Sequence, residues 1–195
     1  MRRIRTVRTP IGTLWTTQPK RPVLLPATLA VLTALAIATA GRGAPPRGAW
    51  PATVFSWTDG DTVVLATPSA MERTRLIGID APEASPSDRA HSQARRLGVP
   101  VWEVVRLGQQ ARDHAQKLAP PNGQVYIDTD VQTRDRYGRL LAYLWLPDGR
   151  LLQEELLRAG WADLLTIPPN VKYTERLRKA WREARDVGRG MWHNR

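Results

Sequence analysis

The sequence predicts an α+β protein: a closed five-stranded barrel of the OB type with three helices, preceded by an apolar N-terminal signal or anchor helix. Three observations lead to this reading. Residues from 52 to 79 alternate apolar and polar side chains as strands do, 124–146 supply two further strand-like segments, and a helical pattern lies between them. Two shorter helical stretches close the chain. An uncharged apolar run over 23–40 opens it behind a basic leader.

The leader, residues 1–22, carries Arg2, Arg3, Arg5, Arg8, Lys20 and Arg21 and no acid. Behind it "VLLPATLAVLTALAIATA" ends in Ala38-Thr39-Ala40, before Gly41. A charged start, an apolar run and an A-x-A end describe a secretory signal. The same run, about 27 Å long as a helix, also suffices to span a bilayer. Cleavage and retention therefore both stay open, with membrane contact through 23–40 in the second case. In either, the positive side stays in the cytoplasm, so the rest of the chain is expected outside it, secreted or anchored. "GRGAPPRGAWP", 41–51, reads as a Gly- and Pro-rich linker. Residues 52–192 are enough for one domain with its own core.

Within that domain "ATVFSW" and "TVVLAT" flank Asp59-Gly60, a strong hairpin signal. "RTRLIGI", 73–79, makes a third strand. The polar stretch "ASPSDRAHSQARRLGVP", 84–100, has no clear period and reads as an irregular insert. A helix follows over 101–118, where Val104, Val105, Leu107, Ala111 and Ala115 share a helical surface. Pro120-Pro121-Asn122-Gly123 ends it, and "QVYIDTDV" and "RLLAYLWL" supply strands four and five. Short helices are predicted over 151–159 and 174–186, the latter capped by Thr174.

Composition removes several chemistries. There is no cysteine, so disulfides, thiolate-bound metals and a cysteine nucleophile are excluded. His91, His114 and His193 are too scattered for a zinc site, and Ser85, Ser87 and Ser92 lack a nucleophile-elbow context. The formal charge is +11, but six of the 29 basic residues and none of the 18 acids lie in 1–40. The remaining 23 cations against 18 acids make the domain moderately basic, which favours a polyanionic partner.

Against that basic background stands "WTDGDTVVLATPSAMERTRLIGIDAPE", 57–83. Asp61 opens the second strand and Asp80 closes the third, so an antiparallel meander brings the two carboxylates together. Two uncompensated carboxylates repel, and a hard cation resolves the repulsion; Ca²⁺ accepts carboxylate and carbonyl oxygens in loose geometry. Pro82 restricts Ala81 to an extended conformation, which makes the Ala81 carbonyl a third candidate ligand, with Glu83 just beyond. Arg75 lies five residues before Asp80, and in a regular strand the two would point to opposite faces. Bringing them to one site requires a bend near Gly78. "DRYGR" adds Arg139, whose planar fork matches two phosphate oxygens.

"DGDTVVL", "RLIGIDAPE" and "DRYGR", in this order and separated by a helix, resemble the signature of the staphylococcal-nuclease (thermonuclease) family, over roughly residues 52–192. The resemblance implies an OB barrel with three helices and Ca²⁺-dependent cleavage of DNA and RNA, with single strands preferred, 3′-phosphate products and a monomeric enzyme. By motif, Asp61, Asp80 and Ala81 resemble the family's calcium ligands and Glu83 the glutamate that activates or positions the attacking water. Arg75 and Arg139 resemble its two phosphate-binding arginines, and Asp59 an acid just outside the metal shell. The family's stacking tyrosines would fall within "DLLTIPPNVKY", where this chain has Leu165, Thr166 and Ile167, with Tyr173 nearby. Residues 84–100 are longer than the family's loop and carry Arg89, His91, Arg95 and Arg96, read either as a solvated lid or as contacts to a phosphate backbone. The competing reading is a non-catalytic OB module that binds nucleic acid or protein, which would be marked by loss of one of the five site side chains; all five are present.

Overall fold

Period-two burial builds the barrel directly. In the computed structural model, which describes residues 43–193, β1 (Trp50–Asp59) buries Ala52, Val54 and Trp57 while Phe55 faces out. Val63 and Leu65 of β2 (Thr62–Ala66) and Thr74 and Leu76 of β3 (Met71–Leu76) continue the inner layer. β5 (Gln124–Asp128) adds Val125 and Ile127, and β6 (Leu140–Trp145) adds Ala142 and Leu144. The strands close in the order β1-β2-β3-β6-β5, with β3 and β6 parallel and the other barrel pairs antiparallel. Register shifts in β1 near Phe55 and Thr58 bend the strand, as closure of a small barrel requires.

The α+β class and the five-stranded closed barrel match the expectation, but helix count and several boundaries differ. The stretch read as irregular contains α1 (Asp88–Leu97), so the described residues hold four α-helices rather than three. Ser87 starts it, its Oγ accepting from the Ala90 N–H at 3.0 Å, and Gly98 ends it in the left-handed region. Its buried face is Ala90, Gln93 and Ala94, with no large apolar residue to betray the helical period. α2 (Val101–Leu118) has the expected bounds, α3 spans Leu152–Arg158, and α4 spans Thr174–Asp186. Thr174 is the first residue of α4 and not its cap; Tyr173 holds that position without a side-chain bond. A 3₁₀ turn, Gly190–Trp192, follows. The expected linker loses its last two residues to β1, where Trp50 and Pro51 pair with Ile127 and Tyr126. The apolar run at 23–40 lies outside the described residues.

The third strand is also shorter than expected. β3 stops at Leu76, and Ile79–Asp80 (β4) leaves the barrel to pair with Asp163–Leu164 (β7) in a two-stranded ribbon. Gly78, at φ 87°, makes that change of direction. α2 lies across the end of the barrel, where Trp57 Nε1 donates to the Ala119 carbonyl at 2.9 Å. Below it α3 and α4 bury Leu152, Leu156, Leu157, Leu177 and Ala180. Gln153, fully buried, donates to Ala142 O at 3.0 Å and accepts from Leu144 N at 3.1 Å, so α3 is stitched to β6 by its only polar inward group.

A methyl group at Gly78 would stand 2.3 Å from Leu177 Cδ1 in a backbone conformation that L residues avoid. Gly78→Ala is expected to lower the unfolding free energy by about 2–4 kcal/mol, read as a fall in the urea midpoint. An unchanged midpoint would contradict the bend's role in docking α4 on the barrel.

Candidate active site

The turn after β1 delivers Asp61 into the interior, where it is 2% exposed. Its Oδ2 accepts from the Ala81 N–H at 2.7 Å and its Oδ1 from the Thr62 hydroxyl at 3.0 Å. Thr62 pairs with Arg75 across β2 and β3, which places Arg75 beside Asp61 and in ion contact with Oδ1. After Leu76 the bend at Gly78 turns the chain back, so Asp80 returns to the same guanidinium: Arg75 Nη2 donates to Asp80 Oδ1 at 3.1 Å and to the Ile79 carbonyl at 3.1 Å. The bend required for Arg75 and Asp80 to meet is thus present. Arg75 is 11% exposed at its side chain and bridges both carboxylates.

Charge and burial act in opposite directions here. Burial, and less strongly the neighbouring Asp80, pushes the Asp61 carboxyl up, while Arg75 and the Ala81 amide pull it down; the net direction is up. Glu83 is also raised, first by burial and then by the charges of Asp59 and Asp61, with Arg89 and Arg75 opposing. Asp59 stands one step back, accepting from the Ala84 N–H at 3.1 Å.

Two side chains from α1 complete the cluster. Gln93 is buried and clamps the turn after β4: it donates to the Ala81 carbonyl at 3.1 Å and accepts from the Glu83 N–H at 3.0 Å. Arg89 reaches Asp80 Oδ1, and its Nε donates to Glu83 Oε1 at 2.8 Å. The other side of this turn is fixed by α2, where a Cβ on Gly108 would stand 2.2 Å from the Glu83 carbonyl oxygen. Helix and turn can approach so closely only through glycine.

Arg139, from the turn before β6, is held by Asp135 through Nε to Oδ2 at 2.7 Å. It lines one cleft of about 460 Å³ together with Arg75 and Arg89. Of the residues singled out from sequence, Asp61, Asp80 and Arg75 are in direct contact, Glu83 joins them through Arg89, and Arg139 meets Arg75 and Arg89 at the cleft. The Ala81 carbonyl, expected as a free ligand, accepts the Gln93 amide, which leaves it one lone pair. Among the described residues no three carboxylate or histidine side chains converge at ligand spacing. The donor set open to a metal is therefore two carboxylates and a backbone carbonyl, all oxygen, which suits a hard divalent cation.

The residues at the expected stacking positions are placed differently from one another. Leu165 and Ile167 line the cleft with aliphatic surface. Tyr173 does not serve it: its hydroxyl donates to Asp128 at 2.7 Å and its ring packs edge-on against Tyr143 and Trp145. The cleft's aromatic is Tyr137, 68% exposed, with the Arg136 and Arg139 guanidiniums 4.7 and 5.7 Å from its ring. Tyr137 and Gln93 were not assigned site roles from sequence, and Arg89 was read only as part of a lid or as a phosphate-backbone contact, not as a partner of Asp80 and Glu83. Tyr137 stood inside a motif already read for its arginine, and Gln93 and Arg89 gain meaning only once α1 is folded against the turn.

Similarity to known proteins identifies the family. The pattern described as "Staphylococcal nuclease homologue" matches residues 73–194. The thermonuclease of Staphylococcus hyicus is 32% identical over 136 residues, which is 70% of this chain and 72% of that protein. The thermonuclease of Staphylococcus intermedius is 32% identical over 134 residues, 69% of this chain and 71% of that protein. The SPbeta prophage-derived endonuclease YokF of Bacillus subtilis is 29% identical over 136 residues, 69% of this chain but 41% of that longer protein. With the family pattern spanning more than half its length, the chain belongs to the staphylococcal nuclease homologue family.

Proposed function

We propose that the protein is a calcium-dependent endonuclease that hydrolyses phosphodiester bonds of DNA and RNA, preferring single strands and leaving 3′-phosphates. The observation that carries this reading is the cleft lined by Arg75 and Arg139, with Asp61, Asp80 and Glu83 directly behind its arginines. Its names come from relatives that are thermonucleases and an endonuclease. The reading extends to a monomer that is secreted or anchored with this domain outside the cytoplasm.

Hydrolysis adds negative charge to a phosphate that is already anionic, so the strongest help comes from cations aimed at that charge. Arg139, with its Nε on Asp135, turns its two Nη groups to the nonbridging oxygens as a fork. Arg75, tied to Asp61 and Asp80, adds its charge beside them, and the phosphorus faces Glu83. Glu83 holds a water in line and takes or directs its proton as the water oxygen bonds to phosphorus. The bond from phosphorus to the 5′ oxygen breaks, the departing oxygen is protonated from solvent, and the phosphate stays on the 3′ oxygen. Asp61, Asp80 and the Ala81 carbonyl would hold Ca²⁺, which when bound supplies further charge stabilisation to the phosphate. Tyr137 offers a stacking face for a base, a contact worth about 1–3 kcal/mol.

The purified chain is expected to cut single-stranded DNA and RNA in Ca²⁺ to fragments ending in 3′-phosphate, and to leave both intact in chelator. Uncut substrate in both conditions, with binding retained, would instead identify a non-catalytic binding module. Arg139→Lys should lower turnover by about 10²–10³, since one ammonium cannot reproduce the fork. Glu83→Gln should slow cleavage by about 10²–10⁴ while calorimetry still detects Ca²⁺ binding; undiminished turnover removes Glu83 from its assigned role.

A further inference from the structure

Three arginines converge on one carboxylate. Asp80 Oδ1 contacts both Arg75 and Arg89, and Asp80 Oδ2 contacts Arg96 Nη2 at 3.5 Å. Arg75 is enclosed, but Arg89 and Arg96 are 49% and 61% exposed at their side chains. They stand seven residues apart on α1, two turns along one face. That face borders a shallow groove of about 380 Å³ lined by Asp80, Arg89, Ser92, Gln93, Arg96 and Leu165. The groove shares Arg89 and Leu165 with the main cleft, so the two are continuous.

We propose that this groove is a binding subsite for the phosphates that flank the scissile one, with Arg89 and Arg96 as its donors. The proposal rests on the nuclease reading and adds to it that the substrate is held over several nucleotides. Charge supports it first. The groove's lining carries one carboxylate against two guanidiniums, and that carboxylate is already shared with Arg75. Arg89 also meets Glu83 Oε1 at 2.8 Å, and Arg96 meets Asp80 only at the longer 3.5 Å, so both guanidiniums keep exposed N–H groups for another anion. Ion pairs as exposed as these are weak, and exchanging them for a phosphate costs little. Guanidinium forks fit phosphate oxygens in pairs.

Rigidity supports it second. α1 is fixed as a platform by Ala90 and Ala94, packed with Val104, and by the Gln93 clamp on Ala81 and Glu83. Only the two long side chains need to move. Leu165 gives the groove apolar surface for a sugar or base between the phosphates.

The test is binding of a fluorescent single-stranded oligonucleotide of about twelve nucleotides to the full chain in chelator, followed by anisotropy across a salt series. Arg89→Ala and Arg96→Ala are each expected to weaken binding at least about tenfold at low salt. Each should also lower the slope of log affinity against log salt by about 0.7, the share of one phosphate contact on a single strand. Arg89→Lys keeps the charge and should keep the slope. Arg95→Ala serves as control, because Arg95 bonds Ser92 Oγ at 3.1 Å and does not line the groove; it should bind as the parent does. An unchanged slope in either alanine variant, or an equal fall in Arg95→Ala, overturns the subsite. Because chelator separates binding from cutting, a chain that binds as described yet never cleaves in Ca²⁺ refutes the nuclease reading alone. A chain that cleaves while both alanine variants bind normally refutes the subsite alone.

Discussion

A single guanidinium, Arg75, stands between two carboxylates that the fold has removed from water. Asp61 is almost wholly buried, and Asp80 lies within reach of the same side chain. Removing one member of such a cluster leaves an uncompensated buried charge, which typically costs about 3–5 kcal/mol. The cluster therefore fixes more than a local contact. It requires the start of β2, the end of β3 and β4 to meet at one point. That meeting is possible only because the chain reverses at Gly78. Once Asp61 accepts the Ala81 N–H, the following turn is set, and Gln93 and the close approach of Gly108 hold Glu83 where the cluster can use it.

The same dependence explains what sequence could reveal. β1, β2 and β5 were legible because a barrel strand buries alternate side chains, and β6 as an apolar run buried on both faces. α2 and α4 were legible because each carries an apolar stripe long enough to show its period. α1 was hidden because it buries alanines and a glutamine, and its one clear mark, Ser87 ahead of Ala90, is an ordinary serine until the hydrogen bond is seen. β4 and β7 are two residues each, too short for any period, and their pairing spans more than eighty residues of chain. In the site, the identities of Asp61, Asp80, Glu83, Arg75 and Arg139 could be read from motifs. The meeting of Asp61 and Asp80 was legible from the meander, but that of Arg75 with Asp80 was not, since a regular strand would have sent the two to opposite faces.

Aromatic residues show how position outweighs identity. Tyr173 falls close to where a stacking ring was sought, yet its hydroxyl is committed to Asp128, and Lys172 completes that anchor with Nζ 2.8 Å from the same carboxylate. This ties the segment before α4 to the end of β5 and explains why burial, reinforced by Asp128, pushes the Tyr173 hydroxyl up. Tyr137, by contrast, sits at the tip of a turn, where Gly138 at φ 78° allows the chain to reverse and leaves the ring in solvent. A ring that is free to stack must be one that the core does not need.

The surplus of arginine takes on meaning in this light. Much of it is spent inside the protein: Arg139 on Asp135, Arg134 on Glu72, and Arg158 on Glu154 and Glu155. Such pairs contribute little net field beyond their own surroundings, because each cation is met by its acid. Around Asp80 three guanidiniums share one carboxylate, and two of them are met by further acids, Arg75 by Asp61 and Arg89 by Glu83. The fold gains there not a surplus of charge but two exposed guanidiniums, Arg89 and Arg96, set beside the cleft. A handful of packing choices around α1 therefore sets exposed guanidiniums at the place where Asp61, Asp80 and Glu83 already stand.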